Sequence, residues 1–206
     1  MPREIQARSG FFVTGTDTGV GKSVASAWLL HRHGADYWKP IQSGAGPDEE
    51  SDGAFVRRLS GLPDARFYPS VYTFALPRSP HEAARKEGVE IHLEQLSPPI
   101  GERPLVVEGA GGILVPLNDT QFMLDLMAHL GLPVILVART TLGTINHTLL
   151  SLAALRSRGL PVAGVILNGV PDAENRLAIQ QYGQVTVLAD LPLLHPLTQE
   201  TLLQIR

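Results

Sequence analysis

"GFFVTGTDTGVGKSVASAWLL" runs from Gly10 to Leu30 and sets an apolar run, a turn rich in glycine and threonine, a Gly-Lys-Ser and a second apolar segment in that order. The first run reads as a strand and the last as a helix. The turn therefore lies at a strand-to-helix junction, where backbone N–H groups and the positive helix end favour phosphate. The general phosphate loop is G-x-x-x-x-G-K-[ST]. Here Thr16 stands at the first-glycine position and the glycine falls one residue earlier, at Gly15. The working end is intact. Gly21 permits close backbone approach, Lys22 brings a point charge to the β- and γ-phosphates, and the Ser23 hydroxyl can reach Mg²⁺. Tight packing alone would account for the glycines, but Gly-Lys-Ser at this junction points to phosphate.

Outward from the junction, short apolar runs alternate with helical patterns. Strand candidates are Gly10–Thr14, Ala35–Lys39, Pro104–Glu108, Leu132–Ala138, Val162–Asn168 and Gln184–Leu188. Helical candidates are Lys22–Arg32, Phe122–Leu130, Ile145–Arg158 and Asn175–Tyr182, with a last one near Gln199–Ile205. Several strands are apolar on both faces, as a sheet covered on both sides requires. The alternation predicts the α/β class: a single domain over residues 1–206, with a mostly parallel sheet, helices on both faces and a P-loop NTPase-like arrangement. The only linker-like stretch, Gly44–Ser51 (GAGPDEES), reads as a mobile loop and comes too early to separate two domains. Ser79-Pro80-His81-Glu82 has the form of a capping box, with Ser79 as N-cap and Pro80 at the first helical position.

Composition excludes several classes of function. The 206 residues, 44% hydrophobic and 18% charged, suffice for one substantial core. A formal charge of -3 supplies no basic field for nucleic acid, and no Lys/Arg run suggests a membrane surface. The absence of cysteine excludes disulfides, thiolate zinc sites and cysteine nucleophiles. MPREIQARSG at the N-terminus lacks the apolar region of a signal peptide, and no apolar stretch approaches the ~20 residues of a membrane span. The expected location is the cytoplasm. His31, His33, His92, His129 and His195 show no metal-ligand spacing and read as surface or core residues.

A magnesium nucleotide needs carboxylates as well as a serine. Glu108 ends the apolar strand and opens the loop Glu108-Gly-Ala-Gly-Gly112, which puts an acid at the carboxyl edge of the sheet, where open α/β sheets bind ligands. Asp52 is a second candidate, but Asp48, Glu49 and Glu50 stand beside it and composition does not choose among them. Lys39 ends the second strand and is delivered to the same edge, where a second ammonium could neutralise charge on a transferring phosphoryl group.

A series of longer segments narrows the reading. They are F-V-T-G-T-D-T-x-V-G-K-S at Phe12–Ser23, Lys-Pro-x-x-Ser-Gly at Lys39–Gly44, Ser-Asp at Ser51–Asp52 and Y-T-F-A-x-P-x-S-P-H at Tyr72–His81. They continue as V-E-G-A-G-G at Val107–Gly112, P-L-x-D-T at Pro116–Thr120, L-P-V-I-L-V at Leu132–Val137 and L-G-x-I-N-H at Leu142–His147. In this order, over nearly the whole chain, they resemble the dethiobiotin synthetase family.

The resemblance implies an ATP- and Mg²⁺-dependent closure of 7,8-diaminononanoate and carbon dioxide to dethiobiotin, with ADP and phosphate released. A carbamate forms on one amine, is phosphorylated to a mixed anhydride, and is attacked by the second amine. By position in the matched motifs, Gly19, Val20, Gly21, Lys22 and Ser23 would bind the phosphates, while Ser23, Asp52 and Glu108 would hold Mg²⁺. That match selects Asp52 from its acidic neighbours. Thr18, Lys39 and Ser43 would face the diamine and its carbamate, Asn168 would read the adenine edge, and Pro192 and Leu193 would line the base. The resemblance also implies a homodimer in which Thr144, Ile145 and Asn146 of one chain approach the substrate carboxylate in the other. Two competing readings are disfavoured. A partition-type ATPase switch would carry its signature lysine where this chain has Asp17, and a glutamine-dependent amidating synthetase would need a second domain with a cysteine nucleophile.

Overall fold

The computed structural model describes residues 9–46 and 50–205. In chain order its elements are β1 (Gly10–Gly15), α1 (Lys22–His33), β2 (Asp36–Trp38), β3 (Ile41–Ser43), α2 (Asp52–Ser60), β4 (Phe67–Tyr68), β5 (Tyr72–Phe74) and α3 (Pro80–Lys86). They continue with β6 (Leu105–Gly112), α4 (Met123–Leu130), β7 (Val134–Arg139), α5 (Thr144–Ser157), β8 (Val162–Asn168), α6 (Ala173–Gly183), β9 (Val187–Leu191) and α7 (Gln199–Leu203). Seven strands form one sheet in the order β4-β2-β6-β1-β7-β8-β9. Every pairing in it is parallel. The chain leaves β1 toward β2, returns through β6, and then crosses to β7 on the other side of β1. The carboxyl ends of β6, β1 and β7 thus meet at a topological switch point, where open α/β sheets bind ligands.

Strand periodicity sends alternate residues to opposite faces, and both faces are covered. Phe12, Trp38, Val107, Leu136 and Leu167 pack on one side with Met123, Leu126 and Leu152 of α4 and α5. Val13, Tyr37, Val106, Ile135 and Ile166 pack on the other with Ala25, Leu29, Val56, Leu59 and Leu202 of α1, α2 and α7. No helix among the described residues is long and apolar enough to cross a membrane.

The α/β class and the parallel sheet match the expectation from sequence. The short strands β3, β4 and β5 have no counterpart among the expected elements, and β3 pairs with β5 in parallel as a separate two-stranded sheet. Three further local features differ. The expected strand at Gln184–Leu188 begins only at Val187, because Gln184 takes the left-handed conformation (φ 44) that ends α6. Ser79 precedes α3 as expected and Pro80 occupies its first turn, but the serine hydroxyl pairs with Nδ1 of His81 at 3.0 Å and does not cap the helix. The third is α2, which lies directly after the expected loop. Ser51 caps it by accepting the Ala54 N–H at 3.2 Å, and Val56 and Leu59 bury against α1. Of the Gly44–Ser51 loop itself, Pro47, Asp48 and Glu49 lie outside the described residues.

Candidate active site

The loop between β1 and α1 is tied down from two neighbouring strands. Gly21 adopts a left-handed conformation (φ 98) at the start of α1, and a Cβ there would collide with the Asn168 side-chain amide. Asn168, at the end of β8, donates its Nδ2 to the Val20 carbonyl at 3.1 Å. Arg139, at the end of β7, reaches the Asp17 carboxylate at 2.6 Å, and the same carboxylate accepts the Thr18 N–H at 2.7 Å. The Asp17 carbonyl in turn receives Nζ of Lys22 at 3.2 Å. Lys22 is thereby held inside the mouth of the loop, 8% exposed.

The acid and the second lysine follow from strand register. Tyr37 pairs with Val106 and Trp38 with Val107, so Lys39, just past β2, comes opposite Glu108 on the same face as Tyr37. Helix α1 lies over that face, and its Ser23 and Ser26, three residues apart, point down onto Glu108. Oε1 of Glu108 accepts from Ser23 at 2.9 Å and from Lys39 at 3.2 Å. Oε2 accepts from Ser26 at 2.7 Å and from the Tyr37 hydroxyl at 3.1 Å. Lys39 also donates to the Gly109 carbonyl at 3.2 Å and to Oδ2 of Asp52 at 2.9 Å. Ser23 closes the cluster, its single hydroxyl proton shared between Glu108 and, at the longer 3.3 Å, Oδ1 of Asp52.

The charges in this cluster set one another. Burial works against the Lys39 ammonium, but Glu108 and Asp52 outweigh it and hold its pKa above the usual lysine value. Lys22 moves the other way, because burial and then the Lys39 charge depress it more than the carboxylates restore it. Burial opposes ionisation of Asp52, yet Lys39 and Ser23 hold its carboxyl below the ordinary range. Burial, followed by the nearby carboxylates, pushes Tyr37 well above the normal phenol value, so its hydroxyl remains a donor.

Ser23, Asp52 and Glu108 form a converging set of hard oxygen donors, two carboxylates and one hydroxyl. No group of three or more His, Cys, Asp or Glu side chains able to hold a metal occurs among the described residues. A small oxygen set of this kind suits Mg²⁺, which keeps water and phosphate oxygens in its octahedron, better than it suits a metal needing a full protein cage.

A cavity of about 690 Å³ brings Thr18, Gly19, Gly21, Lys22, Ser23, Lys39, Ser43, Asp52 and Glu108 together. The Ser43 hydroxyl is buried there without a protein partner. On the other side of Gly19 a second cavity of about 390 Å³ is bordered by Val20, Asn168 and Leu193; Pro192 does not line it. The Val20 side chain is itself in the core, which leaves only its backbone to face a ligand. Glu50 pairs with Arg58 on the surface, apart from the cluster, whereas Asp52 is inside it. The expectation for Thr144 needs correction. Its N–H donates to the Thr141 carbonyl and its hydroxyl to the Arg139 carbonyl, and it is 2% exposed, so Ile145 and Asn146 are left to present amides at the start of α5. Ser26, Tyr37 and Arg139 belong to the site without any sequence motif that marks them. The three-residue step from Ser23 to Ser26 and the two-residue step from Tyr37 to Lys39 were the available signals for the first two.

A family model described as an AAA domain matches residues 9–201. The ATP-dependent dethiobiotin synthetase of Paramagnetospirillum magneticum is 52% identical over 193 residues, covering 94% of this chain and 92% of that protein. The ATP-dependent dethiobiotin synthetase of Agrobacterium fabrum is 50% identical over 194 residues, with 94% and 91% covered. Among solved structures, a ParA family ATPase from Chlorobium tepidum superposes with a TM-score of 0.56 at 14% identity, over 96% of this chain and 90% of the other. At that identity only the fold is shared.

Proposed function

We propose a reaction course for this chain from the family to which it belongs, the ATP-dependent dethiobiotin synthetases of biotin biosynthesis. One amine of 7,8-diaminononanoate attacks carbon dioxide and loses a proton, giving a carbamate. A carbamate oxygen attacks the γ-phosphorus of ATP, the bond to the β–γ bridging oxygen breaks, and ADP leaves. The second amine attacks the carbonyl carbon of the resulting mixed anhydride, expels phosphate with loss of a proton, and closes the cyclic urea. The observation that carries this reading is the convergence of Lys22 and Lys39 with Ser23, Asp52 and Glu108 on one cavity.

Each residue has a physical task in that course. An anionic carbamate and an anionic γ-phosphate repel, and Lys22 and Lys39 offset the repulsion from fixed positions. Lys39 is held by Glu108, Asp52 and Gly109, so it meets developing charge with little reorganisation. Ser43 offers an unpaired hydroxyl to the diamine or its carbamate, and Thr18 faces the same space. Ser23, Asp52 and Glu108 would hold Mg²⁺, which would supply charge neutralisation to the nucleotide phosphates. Gly19, Val20 and Gly21 give the loop backbone to the phosphates, with Asn168 and Leu193 toward the base. We place the reaction in the cytoplasm, within a single domain over residues 1–206.

Purified protein given ATP, Mg²⁺, bicarbonate and diaminononanoate is expected to yield dethiobiotin, with product lost when any one of the four is omitted. ATP turnover without dethiobiotin under the complete mixture overturns the reading.

The carboxylate tail of the diamine needs an anion site, and the start of α5 offers one through the Ile145 and Asn146 amides. We assign that site to the second subunit of a homodimer. Asn146→Asp sets a negative charge against the tail, whereas Lys22→Ala removes a phosphate contact. Mixed under subunit exchange, the two inactive variants put both defects into one site of each heterodimer and leave the other intact. Random pairing then restores about a quarter of the sites. No recovery, with exchange demonstrated and both variants folded, places the carboxylate site within one chain.

A further inference from the structure

Glu108 is 1% exposed, yet its two oxygens have different surroundings. Oε1 meets Ser23 and Lys39 at the edge of the cavity, while Oε2 turns inward. Two hydroxyls from different elements, Ser26 from α1 and Tyr37 from β2, donate to Oε2. Both hydrogen bonds to Oε2 are buried, and Tyr37 belongs to the apolar cluster of Val13, Ala25, Leu29, Val56 and Val106. Ser26 is fully buried and Tyr37 is 1% exposed, so no solvent competes for the oxygen.

We propose that Ser26 and Tyr37 are positioning residues that clamp Oε2 of Glu108 and so dedicate Oε1 to the metal site. This rests on the assignment of Glu108 as a Mg²⁺ ligand. A carboxylate free to rotate would exchange its oxygens and spread its negative charge over several orientations. Two donors on one oxygen remove that freedom, as outer hydrogen bonds to metal ligands generally do. The two donors also stabilise an inward-facing oxygen that would otherwise lie unsatisfied in an apolar layer. Burial alone asks only that each hydroxyl find some acceptor. Convergence on the one oxygen that faces away from the cavity is what an orienting role requires. The arrangement further ties the metal site to β2 and α1, the elements that carry Lys39 and Ser23.

Tyr37→Phe is the informative variant, because it keeps the ring between its packing partners and deletes only the hydroxyl. Binding of Mn²⁺ in the presence of ADP, read by electron paramagnetic resonance, reports the ion site without turnover. Tyr37→Phe or Ser26→Ala is expected to weaken Mn²⁺ binding about 10-fold, and the double variant up to about 100-fold. ADP affinity measured with metal chelated should stay at the parent value, since neither hydroxyl faces the loop. A merely structural hydroxyl would lower the melting temperature and leave the Mn²⁺ constant alone. If Ser26→Ala fails to fold, Tyr37→Phe decides by itself. Glu108→Gln separates the two levels of the argument. Weak Mn²⁺ binding in Glu108→Gln, combined with parent-like binding in Tyr37→Phe and the double variant, overturns the clamp and leaves the ligand. Parent-like binding in Glu108→Gln overturns the ligand assignment, and the clamp with it.

Discussion

Lys22→Ala is expected to slow dethiobiotin formation by about 10²-fold or more while the melting temperature stays unchanged or rises. The two halves of this result have one cause. Lys22 is buried beside Lys39, and burial first, then that like charge, lower its pKa. Among the described residues it donates one hydrogen bond, to the Asp17 carbonyl at 3.2 Å. A lysine whose folded pKa is depressed holds its proton less tightly in the folded chain than in the unfolded one, so the charged group works against folding at neutral pH. The penalty fades as pH rises through the depressed value toward the ordinary 10.5, where the unfolded chain also loses the proton. Alanine removes both the penalty and the charge that the transferring phosphate requires. Steady-state kinetics and thermal melts of one preparation check both. Unchanged turnover removes Lys22 from the phosphate site. A clear fall in melting temperature shows that packing of the buried lysine stem outweighs the penalty on its charge.

The same phosphate loop was the most legible part of the chain. It announces itself locally, because a strand, a glycine turn, a Gly-Lys-Ser and a helix are contiguous from Gly10 to His33. Lys39 and Glu108 were legible for a different reason: parallel strands send their carboxyl ends to one edge, and the register puts the two residues opposite each other. What stayed hidden depends on contacts between distant segments. Tyr37 looks like one more apolar strand residue until its hydroxyl is seen on a carboxylate 71 residues away. Ser26 reads as a small residue on a buried helix face, 82 positions from the same acid. Arg139 ends a strand and is 122 residues from Asp17.

Helix α2 and the β3–β5 pair were missed because the pattern there is too short. Asp52–Ser60 starts Asp-Gly and leaves few turns in which a period of 3.6 could show. Its cap and its burial against α1 supply the stability that propensity does not. Strands of three residues such as Ile41–Ser43 and Tyr72–Phe74 carry no alternation long enough to read. The consequence reaches the site, since α2 is the element that brings Asp52 to Lys39. The family motif picked out Asp52, and the helix supplies the physical reason that it and not Glu50 faces the cavity.

Lys39→Met is the harsher test, because it strikes the fold and the chemistry together. Lys39 is 3% exposed, and methionine nearly matches its length, so the change removes a charge more than it removes volume. Glu108 then keeps its buried carboxylate without the cation at Oε1, and breaking a buried pair from one side costs about 3 kcal/mol. Asp52 adds little, being half exposed to solvent. The pH dependence carries a definite sign. Burial lowers the Lys39 pKa, but Glu108 and Asp52 raise it past 10.5, so the stability it contributes is complete below that value and is lost as pH rises through the folded one. Asp52, held below 3.8 against its burial, contributes stability above that value which is lost as pH falls through the folded pKa. The gap between parent and Lys39→Met should therefore be flat near neutrality, close as pH rises through the folded Lys39 value, and shrink only slightly at the acid end where Asp52 is protonated. Activity should fall by about 10³-fold, since an ammonium fixed beside the reacting groups is lost from a site with few others. Adding Glu108→Gln to Lys39→Met should recover much of the stability and none of the rate, because it removes the stranded charge without replacing the cation. Recovery of rate along with stability would mean that Lys39 serves only to neutralise Glu108, and that the phosphoryl group is met by Lys22 alone.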